Sequence, residues 1–146
     1  MRKKSHYISV WMISALFLSL NANGQTVMQE LKNHQKTTHF AQALENADLA
    51  SRLEQQGPFT IFAPTNESFD QLLRNQQNDR ELLLNHMMTG FATERSLKLM
   101  SEVPCLSGNT VKIDDGQRLS IGAHSIVQAN IKAGNGVIHI IDGVIK

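Results

Sequence analysis

Histidine and cysteine side chains are the first residues to consider for chemistry in this chain. None of those after residue 24 is spaced as His-x-His, as Cys-x-x-Cys or as a histidine pair four residues apart, the spacings that preform a metal site. We therefore predict no metal site and no cofactor. The residues concerned are His34, His39, His86, His124, His139 and Cys105.

Catalysis by a serine nucleophile or a carboxylate pair is also not indicated. Ser68, Ser107 and Ser125 lack the nucleophile-elbow context of hydrolases. Asp142 and His139 are the only close acid–base pair, and residues three apart on a predicted strand point to opposite faces. We predict that the chain is not an enzyme.

Cys105 is the single cysteine, so the chain cannot close an internal disulfide. The thiol could pair with another chain or react, but its place between Pro104 and Leu106 in an apolar segment favours burial. We predict a buried, unreactive thiol and a core held by packing alone.

Helical spacing dominates the first half of the chain after residue 24. A short apolar pattern predicts either a first helix or a partly ordered lead-in over residues 25–36. Apolar residues at i, i+3, i+4 and i+7 predict a helix from Thr38 to Asn46. Asp48 is predicted to cap the next helix, because its carboxylate can accept the first unpaired amides.

The middle of the chain alternates between short elements. The apolar run Phe59–Ala63 between two prolines predicts a buried strand. Asn66 is predicted to cap the helix that follows, the polar run Asn75–Asn78 to form a loop, and Asp79 to begin another helix. A short helix is predicted near Leu97–Met100.

The last third has the alternation of strands joined by hairpins. The turn signals Asp115-Gly116 and Gly134-Asn135-Gly136 separate the apolar runs. Val137–Ile141 is almost wholly apolar, which predicts a central strand covered on both faces. Within this strand, His139 is predicted to turn its polar edge outward rather than to act as a metal ligand. Helices in the first half and strands in the second indicate an α+β fold class.

The N-terminus has the layout of a secretory signal. Arg2, Lys3 and Lys4 precede an apolar stretch that is too short to span a bilayer comfortably. We predict a signal peptide over residues 1–24 with cleavage before Gln25, cleavage after Ala22 being the alternative. We predict no integral membrane span in the mature chain.

Removing that segment leaves about 120 residues, which is one ordinary domain. It also leaves 11 basic against 13 acidic side chains, a net charge of about −2. Nucleic acid is therefore not a predicted partner.

Two segments resemble the signature boxes of the fasciclin (FAS1) family, Gly57–Phe69 and Gly134–Ile145. Between them, Leu83–Gly90 resembles the family's Leu-x-Tyr-His-x-x-x-Gly stretch, and Leu106–Val111 resembles the strand that follows it. The resemblance covers residues 37–146, which we predict to be the FAS1 domain. It implies a wedge of β-sandwich-like sheets with helices packed against it, in secreted or surface-held proteins that mediate adhesion.

The resemblance draws attention to His86, because the family's Tyr-His pair has been linked to adhesion. Asn85 replaces the tyrosine, so we retain both residues only as candidate binding residues. The alternative is that His86 is a structural residue that holds its helix to the sheet. Buried between apolar neighbours, it would need hydrogen-bond partners, for which Thr65 and Asn66 are the predicted structural residues.

A second candidate position precedes the last box. Some animal relatives carry a Glu-Pro-Asp-Ile-Met motif tied to integrin contact there, and this chain has Gln128-Ala-Asn-Ile-Lys132. Both carboxylates are missing, so integrin binding is not carried over. Asn130 and Lys132 are predicted to face solvent and are candidate binding residues for another partner.

The sequence thus predicts an exported adhesion or interaction module, secreted, periplasmic or held at the cell surface. Its expected partner is a surface or matrix protein or a polysaccharide, and its oligomeric state is left open. The alternative is a small-ligand carrier or hydrolase that uses a pocket near His86.

Overall fold

The computed structural model describes residues 24–146. The predicted signal peptide, apart from Gly24, lies outside the described residues. Helices and strands alternate along the chain with the bounds α1 Val27–Asn33, α2 Thr38–Asn46, α3 Ala50–Gln55, β1 Phe59–Pro64, α4 Asn66–Asp70, α5 Arg74–Gln77, α6 Arg80–Leu84, β2 Met87–Thr89, α7 Glu94–Leu97, β3 Glu102–Pro104, β4 Thr110–Asp115, β5 Leu119–Ile121, β6 His124–Ala133 and β7 Gly136–Ile141. The predicted α+β class is confirmed.

The strands form one seven-stranded sheet in the order β2-β1-β7-β6-β5-β4-β3. The second and third strands of this order, β1 and β7, form a parallel pair that is covered on both faces, here called the central pair, and it runs in register from Phe59 opposite Gly136 to Pro64 opposite Ile141. All other neighbours are antiparallel. The two segments that resemble the signature boxes therefore meet in the middle of the fold, and both strands are buried along their whole length.

Each face of this central pair carries a separate core. On one face Ile61 and Ile138 pack among the apolar residues of the helices. On the other face Phe62 and Ile141 pack against Val103, together with other residues of β3, β4 and β5. The far strands must therefore curl over the face that the helices leave bare, which produces a sandwich-like sheet with helices on its outer side.

Of the two alternatives predicted for the lead-in over residues 25–36, the structure shows the helix, which is α1. Thr26 and Gln29 form a reciprocal capping box at the start of α1, and Val27, Met28 and Leu31 are fully buried. The helix is therefore part of the core. Among residues 24–146, no helix has the length and apolar character needed to cross a bilayer.

A close approach explains one glycine at the start of β7. A Cβ atom built on Gly136 would lie 2.1 Å from the backbone oxygen of Phe59 and 2.7 Å from a methyl group of Val27. Any side chain at this position would push β1 and α1 away from β7. The central strand pair can therefore begin only with glycine here.

Three local predictions were wrong. Asp48 does not cap α3: it has a φ of 58°, and Leu49 is the residue before the helix. Thr65 rather than Asn66 caps α4, because it is Thr65 that has the extended backbone and accepts the Ser68 amide. The predicted loop Asn75–Asn78 is mostly helix α5. The Asp79 cap and the helix after it were predicted correctly.

Candidate interaction surface

His86 lies in the interior on the helix-covered face, where it joins two parts of the chain. Its Nδ1 donates to the Leu82 carbonyl at 2.9 Å, and its Nε2 accepts the Ile145 amide at 3.0 Å. An amide can only donate, so Nε2 must carry a lone pair and the ring is neutral. Burial, opposed only partly by the Leu82 carbonyl, lowers the pKa of His86 to about 4.

The expected hydrogen-bond partners of His86 were wrong, because Thr65 and Asn66 bond elsewhere. The Thr65 hydroxyl caps α4. The Asn66 amide group accepts the His39 amide at 2.9 Å and donates to the Gln35 carbonyl at 2.9 Å. Asn66 therefore fixes the start of α2 against α4, while His86 depends on backbone groups alone.

Asn85 lies in the interior as well, with 6 % of its surface exposed. Its Oδ1 accepts hydrogen bonds from the Ser107 hydroxyl and the Asn109 amide group. These bonds join the end of α6 to the turn between β3 and β4. The side chain of Asn85 is thus used inside the domain and does not face a partner.

The prediction that His139 turns its polar edge outward on its strand was wrong. It is fully buried on the strand-covered face and stacks on Phe62 with ring centroids 5.9 Å apart. Its Nε2 donates to the Ala92 carbonyl at 2.7 Å and its Nδ1 accepts the Asn130 amide at 3.1 Å. The ring is therefore neutral, and burial lowers its pKa.

Residues Gly90–Thr93, here called the Phe91 loop, are hydrogen-bonded to side chains of β1 and β7. The hydroxyl of buried Thr60 donates to the Gly90 carbonyl at 2.7 Å and accepts the Ala92 amide at 2.8 Å. Thr60 thus anchors both peptide groups that flank Phe91, and His139 binds the next peptide group through the Ala92 carbonyl. The Phe91 side chain itself is 58 % exposed.

Asn130 connects β6 to the same loop. It has a φ of 59° within an irregular stretch of the β6–β7 pairing, and its Oδ1 accepts the Glu94 amide at 2.9 Å, at the first residue of α7. Asn130 and Lys132 are both exposed. Of the four predicted binding residues, the structure therefore places two on the surface and two, Asn85 and His86, in the interior.

Phe91 is the residue that sequence reasoning missed. A large aromatic side chain directly after Gly90, at the end of the Tyr-His-like stretch, was the available signal. Its exposure could not be predicted, because it depends on two anchors contributed by β1 and β7.

Metal ligands do not converge in the described part of the chain. No cluster of three or more His, Cys, Asp or Glu side chains that could hold a metal occurs among residues 24–146. The Asp142 carboxylate accepts a hydrogen bond from the Ser125 amide, so it joins the start of β6 to the residue after β7. Cys105 is buried as predicted, and burial raises the pKa of its thiol to about 11, which disfavours the reactive thiolate.

Comparison with known proteins identifies the family. The Fasciclin domain model matches residues 35–146. The chain belongs to the Fasciclin domain family. Protein sll1483 of Synechocystis sp. is 31% identical over 135 residues, which cover 84% of this chain and 74% of that protein. Mouse stabilin-1 is 33% identical over 135 residues, which cover 83% of this chain and 5% of its own length.

A solved structure confirms the predicted FAS1 fold. The fasciclin domain described here superposes on a FAS1 domain pair from the insect cell adhesion molecule fasciclin I with a TM-score of 0.72 at 15% sequence identity. The match covers 84% of this chain and 51% of that one.

Proposed function

We propose that this fasciclin domain is an exported interaction module and that Phe91 anchors it to a partner protein. The observation that carries the proposal is the fixed loop: Phe91 is exposed, while Thr60 holds the peptide groups on both sides of it and His139 holds the peptide group that follows. Two fully buried polar residues of the central strands thus fix the backbone that carries one exposed aromatic side chain.

The physical argument is preorganisation. Aromatic side chains dominate the binding energy of many interfaces when they enter a pocket on the partner. Ordering a loop on binding costs free energy, and a loop that is already ordered avoids this cost. Phe91 therefore has the properties of an anchor residue.

The surroundings favour a protein partner. Phe91 precedes the short helix α7 and the exposed Leu99 follows it, so an exposed apolar side chain lies next to each end of this helix. Asn130 adjoins the loop and Lys132 follows two residues later on β6, so polar groups border the apolar ones. An apolar centre with a polar rim is the usual composition of protein interfaces.

The alternative of a ligand carrier or hydrolase near His86 has less support. Both ring nitrogens of His86 are bonded to backbone groups, and the ring packs against Phe40 at a centroid distance of 5.4 Å. A general base needs a nitrogen within reach of substrate. We therefore propose a binding role without catalysis.

Export belongs to the proposal. It is supported by the charge and apolar pattern of residues 1–24 and by the fold shared with a cell adhesion molecule. N-terminal sequencing of the protein recovered from outside the cytoplasm should give Gln25 as the first residue. An intact Met1 in that fraction would contradict it.

Pull-down from an envelope extract of the source cell tests the anchor. Mature domain, Phe91→Ser and Leu73→Ser are compared as immobilised baits, where Leu73 is a matched exposed apolar residue on the helical side. We expect one or more proteins to be retained by the first and third baits and lost with Phe91→Ser. Equal retention by all three baits, or retention of glycan alone, counts against the proposal.

A further inference from the structure

A second concave site lies on the helical side of the domain, away from the Phe91 loop. Its volume is about 200 Å³. One wall is a single face of α2, with residues at i, i+3, i+4 and i+7, and the other wall comes from α4, the end of α5 and the residue after it. The lining residues are His39, Gln42, Ala43, Asn46, Phe69, Asp70, Gln77 and Asn78.

The rim of this pocket is unusually rich in side-chain amides. Gln42, Asn46, Gln77 and Asn78 contribute four of them, and lysine and arginine are absent from the lining. The floor is apolar, because Ala43 and Phe69 are buried core residues. An apolar floor under a ring of neutral polar groups suits a ligand with polar edges and an apolar face.

Hydrogen bonds already orient part of the rim. The Gln42 amide group donates to Asn46 Oδ1 at 3.2 Å, and the Gln77 amide group donates to the Leu72 carbonyl at 3.1 Å. Oε1 of Gln42, Nδ2 of Asn46 and Oε1 of Gln77 have no partner among residues 24–146. The rim therefore offers both acceptors and a donor.

A histidine–carboxylate pair completes the rim. Nδ1 of His39 lies 2.7 Å from Oδ1 of Asp70, and about half of each side chain is exposed. This contact orients the imidazole, so its Nε2 edge and the second carboxylate oxygen are available to a ligand. Neither atom is hydrogen-bonded to another group among residues 24–146, and it is Asn66 that joins the starts of α2 and α4.

We propose that this pocket binds one neutral sugar ring of a glycan. Sugar hydroxyls donate and accept hydrogen bonds, as side-chain amides do, and a carboxylate accepts from them strongly. The carbon-bound hydrogens of a sugar ring match the apolar floor. A carboxylate on the ligand would meet Asp70, so an acidic sugar fits less well. The inference is separate from the proposed role of Phe91, because the pocket and the loop lie on opposite sides of the central sheet.

Titration of the ¹⁵N-labelled domain, followed by NMR, tests this site. The probes are glucose, N-acetylglucosamine, their linear trimers, and glucuronate as a ring of the same size with a negative charge. At least one neutral probe should produce saturable shifts of the backbone amides around His39, Asn46 and Gln77. Glucuronate should bind several-fold more weakly than glucose.

The matched variants are Gln42→Ala with Asn46→Ala, and Gln55→Ala as the control, since Gln55 is an exposed amide on α3 outside the pocket. The double variant should lose about tenfold or more in affinity, because two hydrogen bonds are removed. The control should bind as the unchanged domain does.

Three results would overturn the site. The first is no shift with any neutral probe up to about 50 mM, far above a dissociation constant of about 1 mM. The second is tighter binding of glucuronate than of glucose, and the third is shifts confined to the neighbouring groove beside Glu67 and Asp142. None of them bears on Phe91, whose pull-down reports retained proteins.

Discussion

The two buried histidines use the same chemistry on opposite faces of the sheet, with different consequences. On the helix-covered face, His86 donates from Nδ1 and accepts at Nε2. On the strand-covered face, His139 uses the reverse arrangement, donating from Nε2 and accepting at Nδ1. Each neutral ring therefore supplies one donor and one acceptor to two backbone groups.

What differs is where those backbone groups lie. His86 joins α6 to Ile145, and both of these are in the interior. His139 joins β7 to Ala92 and Asn130, which border the surface around Phe91. We therefore expect that loss of His86 affects stability alone, and that loss of His139 affects both stability and binding at the Phe91 loop.

Replacing His86 should have the largest effect. The change His86→Leu leaves the buried Ile145 amide without a partner and leaves the Leu82 carbonyl with only the shared Asn85 amide at 3.2 Å, at a cost of about 3 kcal/mol in the free energy of unfolding. Urea unfolding followed by circular dichroism measures this cost. Retention of envelope proteins in the pull-down should be unchanged at a temperature where the variant is folded. An unchanged unfolding midpoint with lost retention would reverse the assignment.

Acid should reproduce part of that loss without a mutation. His86 has a folded-state pKa of about 4, below its usual value of about 6.5, so the unfolded chain binds its proton first as the pH falls. Its contribution is complete above pH 6.5 and is lost between about pH 6.5 and 4, by about 3 kcal/mol in total. Unfolding free energies measured from pH 7 to 4 should decline, and the decline should be smaller in His86→Leu. Parallel curves for the two proteins would contradict this account.

Replacing His139 should cost less stability and more function. The change His139→Leu removes the partners of the buried Ala92 carbonyl and of the part-buried Asn130 amide, and water can replace the bond to the second of these, so we expect about 2 kcal/mol. Amide hydrogen exchange should accelerate from Ala92 to Glu94, and retention in the pull-down should fall. A variant that loses stability while exchange in this loop stays slow would separate His139 from Phe91.

Replacing Thr60 should have the smallest effect on stability and should isolate the loop. The change Thr60→Val keeps the shape of the side chain and removes the hydroxyl that bridges Gly90 and Ala92, at about 1 to 2 kcal/mol. Exchange of the Ala92 amide should accelerate while that of Ile145 is unaffected. Equal acceleration at both amides would mean that the two faces do not act independently.

The elements of the central sheet could be predicted from the sequence because their signals are local. The runs Phe59–Ala63 and Val137–Ile141 are apolar, rich in β-branched residues and bounded by proline or glycine. Cap positions were harder to predict from the sequence. Asp48 and Asn66 have side chains that can cap a helix, but the backbone conformation decides which residue occupies the cap position.

The candidate surface could be predicted only in part, because its determinants are distant in sequence. Asn130 and Lys132 lie on the exposed side of a strand whose period is readable. His139 was assigned an outward edge, since its partner Ala92 lies 47 residues earlier and no local pattern records that contact. The exposure of Phe91 could not be predicted for the same reason, because its loop is fixed by residues of two distant strands.

The parallel pairing of β1 with β7 also has a kinetic consequence. Phe59 and Gly136 are neighbours in the sheet although 77 positions separate them, so the middle of the domain cannot close until residues 136–141 have left the ribosome. Contacts between such remote positions slow folding. The growing polypeptide therefore cannot close this strand pair before residue 141 has emerged, which suits the proposed export, since a chain threaded through a translocation channel must pass it before folding.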